Sequence, residues 1–173
     1  TIDGEESGVT GNLPPLITVP TGVFPIEHKG RLWLVRNPGT GDPMGVSILY
    51  SKDLAECTTP TGVYGRYEEC FPPEHELPLS SFSETPTGTK SDGETLYIGT
   101  TRTVHRIIGD SPPFNPPYIL HAETGVLNQD TWKFLFKEGA PYGAIWLTPD
   151  FRVILSDFNT YRNIGTPIQD VLN

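Results

Sequence analysis

The residues able to do chemistry fall into a few groups along the chain. His75 stands between Glu74 and Glu76, shortly after Glu68 and Glu69. Clustered carboxylates raise one another's pKa, so such a group suits a hard cation or general acid–base work. Its spacing matches neither a zinc template nor an EF-hand loop, and a proline-bounded acidic loop reads first as a solvated one. A hydrolase using Glu68, Glu69 and Glu74 is the enzyme alternative. Gly39-Thr40-Gly41-Asp42-Pro43-Met44-Gly45 has the glycines of a phosphate loop. It lacks the Lys-Ser/Thr pair, and Pro43 removes an amide donor, so it reads as a hairpin turn. There is no G-x-S-x-G elbow, and neither Cys57 nor Cys70 sits in a nucleophile context. His28, His75, His105 and His121 are dispersed. No enzyme, metal or cofactor is expected.

Two other groups suit binding better. Arg102, His105 and Arg106 are a basic patch in an acidic chain, and the planar fork of arginine grips carboxylates and hydroxyl-rich ligands. The ordinary alternative is cross-strand pairing with Glu or Asp. Trp33, Trp132 and Trp146, with seven tyrosines, raise the question of sugar stacking, because an aromatic ring offers an apolar face to a pyranose. Each tryptophan lies in an alternating strand and reads first as core, so at most one is expected to face outward.

The elements that must position these residues are strands. The densest apolar stretch, Thr131 to Ser156, reads as a three-stranded meander with turns at Glu138-Gly139-Ala140-Pro141 and Thr148-Pro149-Asp150. Trp132, Phe134 and Phe136 alternate with Lys133, Leu135 and Lys137, the period of a strand with one face buried. Further strands are predicted at Arg31–Val35, Val46–Tyr50, Thr95–Ile98, Thr101–Ile107 and Tyr118–His121, with shorter ones at Leu16–Val19 and Val63–Tyr67. Ser51 is expected to cap a helical turn over Lys52 to Glu56. Thr166-Pro167 opens a short C-terminal helix to Leu172. Residues 1–25 read as an extended arm and 57–93 as a long irregular region, a length of loop that is commonly functional or mobile.

At 173 residues the chain can bury one real core, and 18 glycines with 18 prolines argue for a loop-rich all-β domain. The expected fold is a single compact antiparallel domain, a sandwich or a rearranged variant of one, with no second-domain boundary over residues 1–173. A net charge of −9 speaks against nucleic acid and anionic membranes as partners. No apolar run approaches transmembrane length, so no membrane insertion is expected. The chain starts on Thr1 rather than Met, as expected of a piece cut from a longer protein, and carries no Asn-x-Ser/Thr acceptor. Two cysteines are too few to define a disulfide framework.

Several stretches resemble the head domain of the rotavirus spike protein. They are Asp3-Gly4, Glu94-Thr95-Leu96-Tyr97-Ile98-Gly99-Thr100, Gln129-Asp130-Thr131-Trp132-Lys133-Phe134, Pro141-Tyr142-Gly143 running into Arg152-Val153, and Tyr161-Arg162-Asn163-Ile164-Gly165-Thr166-Pro167-Ile168-Gln169. They occur in the family's order. The resemblance implies an outer-capsid domain on the virion surface that attaches to host-cell glycans, and an antiparallel, galectin-like sandwich. After Val153 this chain ends within about twenty residues, where the family carries another hairpin and strand, so a divergent rotavirus group with a rearranged fold is expected. The expected partners are host-cell glycans and the remainder of the spike. Binding is expected at a shallow site with one exposed ring, and the residues picked for it are Arg102, His105, Tyr142 and Trp146. A purely structural capsid or interaction module is the third alternative.

Overall fold

The computed structural model describes residues 21–36, 45–57, 70–80 and 84–165. Its first sheet runs β1 (Val23–His28), β2 (Arg31–Arg36), β3 (Val46–Tyr50) and β4 (Glu76–Ser80), with a single helical turn α1 (Leu54–Cys57) between the last two. The second runs β5 (Pro86–Ser91), β6 (Thr95–Thr100), β7 (Val104–Ile108) and β8 (Tyr118–His121). The third contains β9 (Lys133–Lys137), β10 (Ala140–Leu147), β11 (Val153–Ser156) and β12 (Tyr161–Asn163), side by side in chain order. Every pairing is antiparallel. The chain is therefore an all-β protein.

Local chemistry sets the tightest turns. Lys29-Gly30 and Glu138-Gly139 both have two successive positive φ values, the geometry whose twist matches right-twisted strands. In the β5–β6 turn the Asp92 carboxylate accepts the amides of Glu94 (2.9 Å) and Thr95 (2.6 Å) and the Tyr97 hydroxyl (3.1 Å).

The second sheet is buried on both faces. Leu96, Ile98 and Ile107 meet Trp33, Val35, Ile48 and Tyr50 of the first sheet, with Phe114 closing one end. Tyr97 and Val104, on the other face, meet Trp132, Ala144, Trp146 and Ile154. Burying each of these large side chains contributes about 1.5–3 kcal/mol. At Gly99 a Cβ would stand 2.9 Å from Val126 and 3.1 Å from Trp132, so the second core closes only over a glycine. Where the resemblance implies a sandwich, the described residues build two cores on one central sheet.

Several expectations are corrected. The region 57–93 is not irregular throughout, since it supplies β4 and β5. Thr87 and Thr89 are buried there, and β5 exists because β6 offers it a ladder. The end of the predicted arm, from Val23, is part of β1. Ser51 does not cap α1. Asp53 does, accepting the Ala55 amide at 2.9 Å, while Ser51 Oγ accepts the Leu32 amide. The predicted strand Thr101–Ile107 starts only at Val104, because the Thr100 amide donates to the Thr103 carbonyl at 2.9 Å and turns the chain. The meander stands where expected, and β12 extends it. The predicted strands Leu16–Val19 and Val63–Tyr67, the glycine loop 39–45 apart from its last residue, and the C-terminal helix lie outside the described residues.

Candidate functional site

The β11–β12 hairpin and the start of β10 enclose a shallow cleft of about 320 Å3, lined by Tyr142, Leu155, Asp157, Thr160, Tyr161 and Arg162. A bulge between Pro141 and Gly143 breaks the β9–β10 register at Tyr142, whose ring is 54% exposed. Gly143 has no room for a side chain, because its Cβ would lie 2.4 Å from the Ser156 carbonyl. Leu155 pairs with Arg162 and Ser156 with Tyr161, so the 46% exposed Tyr161 and the exposed Arg162 are successive residues of the edge strand whose side chains leave it on opposite faces.

The turn between them is stiff. The Asp157 carboxylate accepts the amides of Asn159 (2.9 Å) and Thr160 (2.6 Å) and the Thr160 hydroxyl (3.2 Å). These bonds, the amides first, hold its carboxyl below the ordinary aspartate range. Phe158 takes a left-handed φ of 69° and stacks on Tyr97 at 5.2 Å. Beneath the cleft, His121 is buried, its Nε2 2.7 Å from Ser156 Oγ and its ring edge-on to Tyr161 at 5.0 Å. Burial lowers its pKa, and Arg106 lowers it further against the opposing Asp157. Two tyrosines and an arginine thus line the cleft on a rigid frame. Such a set binds a flat, hydroxyl-rich ring by stacking and hydrogen bonds.

The residues picked from the sequence do not meet in one place. Tyr142 lies in this cleft. Arg102, exposed in the β6–β7 turn, lines a second cleft of about 250 Å3 with Thr101, Glu123, Asp150 and Arg152. His105 is 0% exposed and faces inward, and Trp146 is 2% exposed with its Nε1 donating to the Thr124 carbonyl at 3.0 Å. Neither can touch a ligand from that position. All three tryptophans are buried, in keeping with the expectation that at most one faces outward, so none is an exposed platform. The basic patch also disperses, because His105 and Arg106 point to opposite faces of β7 and Arg106 stacks 4.4 Å over Tyr118.

His105 belongs instead to a buried polar chain. Thr100 and Thr103 both donate to the Glu84 carboxylate, the latter at 2.6 Å, and Thr103 Oγ1 lies 2.7 Å from His105 Nε2. With its one proton given to Glu84, the Thr103 hydroxyl must accept from Nε2–H, which leaves Nδ1 bare and without a partner among the described residues. Burial lowers the His105 pKa.

The described residues of the acidic stretch offer no site either. His75 stacks on Tyr50 at 4.2 Å, with Nδ1 3.2 Å from the Tyr50 carbonyl, and Glu76 pairs with Arg36 at 3.1 Å. Among the described residues no group of three His, Cys, Asp or Glu could hold a metal ion. Glu68 and Glu69 lie outside them. Sequence reasoning missed Asp157, Tyr161 and Arg162 as site residues. The signal was present in Asp157-Phe158-Asn159-Thr160, an Asx-turn pattern followed by an aromatic and a cation. No helix among the described residues is long and apolar enough to cross a membrane. No family model, no curated protein and no solved structure matches the chain.

Proposed function

We propose that this protein is a non-enzymatic attachment head that binds host-cell glycans through the Tyr142–Tyr161 cleft, as an outer-capsid piece of a viral spike of the rotavirus kind. One observation carries the reading. Two of the segments that resemble the spike head, Pro141-Tyr142-Gly143 and Tyr161-Arg162-Asn163, lie on different strands yet supply Tyr142, Tyr161 and Arg162 to the lining of a single cleft. Each ring offers a pyranose an apolar face, and Arg162 and the tyrosine hydroxyls offer hydrogen bonds to its hydroxyls. An open cleft of this size makes single-site binding weak, and many copies on one particle supply avidity.

The test is an array of mammalian glycans probed with a multivalent form of the protein. Binding to a defined subset is expected, with Tyr142→Ala and Tyr161→Ala each lowering it by about five- to tenfold, the worth of one stacked ring. Melting temperatures should not move for Tyr142→Ala, because that ring is mostly in solvent. An array that stays dark for the multivalent wild type, or signals that ignore both substitutions, rejects the reading.

A further inference from the structure

His121 is a titratable ring placed directly under the Tyr142–Tyr161 cleft. It ends β8, an edge strand of the central sheet, and is 3% exposed. Its Nε2 lies 2.7 Å from Ser156 Oγ of β11, so this one bond ties the central sheet to the third. The same Ser156 oxygen accepts the Phe158 amide at 2.9 Å, inside the turn that leads into β12. The ring also stacks on Trp146 at 5.8 Å and meets the Tyr161 ring edge-on at 5.0 Å. A single imidazole thus supports both the β11–β12 turn and a tyrosine that lines the cleft.

The protons of that bond can be assigned. Ser156 has one hydroxyl proton, and its acceptor among the described residues is His121 Nε2. The neutral ring therefore carries its own proton on Nδ1, and a second proton has to go to Nε2, into this bond. The hydroxyl must then turn away from the ring with no described acceptor, and a cation is left at a buried position. The charged groups acting on the ring are Asp157 of the turn and Arg106 of β7, which oppose each other. Trp146 of β10, Ser156 of β11 and Tyr161 of β12 bring no charge to it. Asp157 is also committed elsewhere, to the amides of Asn159 and Thr160. The ring gains a proton most readily when the hairpin opens to water. β12 suits such an opening, because it is an edge strand of three exposed residues paired with β11 alone.

We propose that His121 is a pH-sensitive latch on the cleft: neutral, it holds the β11–β12 hairpin shut through Ser156, and protonated, it frees the hairpin and Tyr161, so that bound glycan is released on acidification. The ligand in this statement rests on the glycan reading, whereas the latch rests on the His121–Ser156–Tyr161 geometry. Linkage sets the sign. The open hairpin binds the proton more readily than the closed one, so acid favours opening. The ratio of open to closed rises by up to about tenfold for each pH unit below the ordinary imidazole pKa.

The test follows amide protection factors by NMR from about pH 7.5 to about pH 5.5, the interval in which imidazole titrates. Wild type, His121→Gln and His105→Gln are compared while tryptophan fluorescence shows the cores intact. Glutamine keeps a polar group toward Ser156 and removes the titration. Protection at Phe158 and along β12 should fall up to about tenfold in wild type and in His105→Gln, and stay level in His121→Gln. Glycans bound on the array at pH 7.5 should lose signal at pH 5.5 with the first two proteins, whereas the signal ratio between the two pH values stays near one for His121→Gln. An array dark at both pH values rejects the glycan reading, and the latch is then decided by the protection factors alone. Hairpin protection that stays level in the wild type overturns the latch without recourse to any variant. So does a fall of the same size in His121→Gln, and so does a fall that His105→Gln abolishes.

Discussion

Lowering the pH from about 7.5 to about 5.5 probes the buried histidines directly, because this interval spans the ordinary imidazole pKa. His28, His105 and His121 are all buried, and desolvation is the largest cause of the lowered pKa in each. A ring whose folded pKa lies below its unfolded value of 6.5 takes up its proton only after unfolding. The unfolded state then binds more protons, so stability is full above the unfolded pKa and falls as pH drops below it. For a ring that stays neutral when folded, this interval costs about 1.4 kcal/mol, and three such rings cost at most about 4 kcal/mol. Against a total stability of about 5–15 kcal/mol that is a large fraction. Urea unfolding followed by tryptophan fluorescence is a suitable assay, since all three indoles move from core to solvent. His105→Gln keeps a donor toward Thr103 and removes the titration, so its pH slope should be smaller by about one proton at the steepest point. Stability that is flat across the interval, or that rises on acidification, refutes the reasoning. A His105→Gln slope identical to wild type removes His105 from it.

Gly99→Ala pushes a methyl group against Val126 and Trp132, and thermal melts should show a loss of about 1–3 kcal/mol. Trp146→Ala empties the centre of the second core and strands the Thr124 carbonyl, which should cost about 3–5 kcal/mol in urea titrations. Asp157→Ala removes the acceptor for two amides and a hydroxyl, and amide exchange in Asn159, Thr160 and β12 should speed up while the first core keeps its protection. Phe158→Ala should destabilise where Phe151→Gly does not, because only the first loses packed aromatic contacts.

What could be read from the sequence is what local pattern controls. Val46–Tyr50 and Tyr118–His121 form with the predicted bounds, and the meander stands between its two predicted turns, because alternation and turn residues coincide there. β5 was not legible. Its residues, Pro-Thr-Gly-Thr-Lys-Ser, set two threonines among proline, glycine and lysine, which strands disfavour, and they pair because β6 is present beside them. The break at Thr101–Thr103 escaped notice for the opposite reason. Threonine favours strands, and only the Thr100–Thr103–Glu84 hydrogen bonds fold the segment back.

The candidate site divides along the same line. Period-two alternation says which residues share a face, but not whether a second sheet covers that face. Tyr142 is exposed because the β9–β10 register breaks between Pro141 and Gly143, a bulge that alternation alone does not reveal. Trp146 and His105 could not be excluded by alternation. Trp146 lies on the face of β10 that meets the central sheet, whereas β7 has no solvent face at His105. The strand that announces this arrangement is β6, Thr-Leu-Tyr-Ile-Gly-Thr, whose apolar run does not alternate. A run of that kind marks a strand covered on both sides, and a strand covered on both sides needs two further sheets. With the central sheet enclosed, a binding surface must lie on an outer sheet or at the tips of turns. The cleft proposed for glycans, between Tyr142 and Tyr161, takes the first of these positions, which is why it contains no tryptophan from the cores.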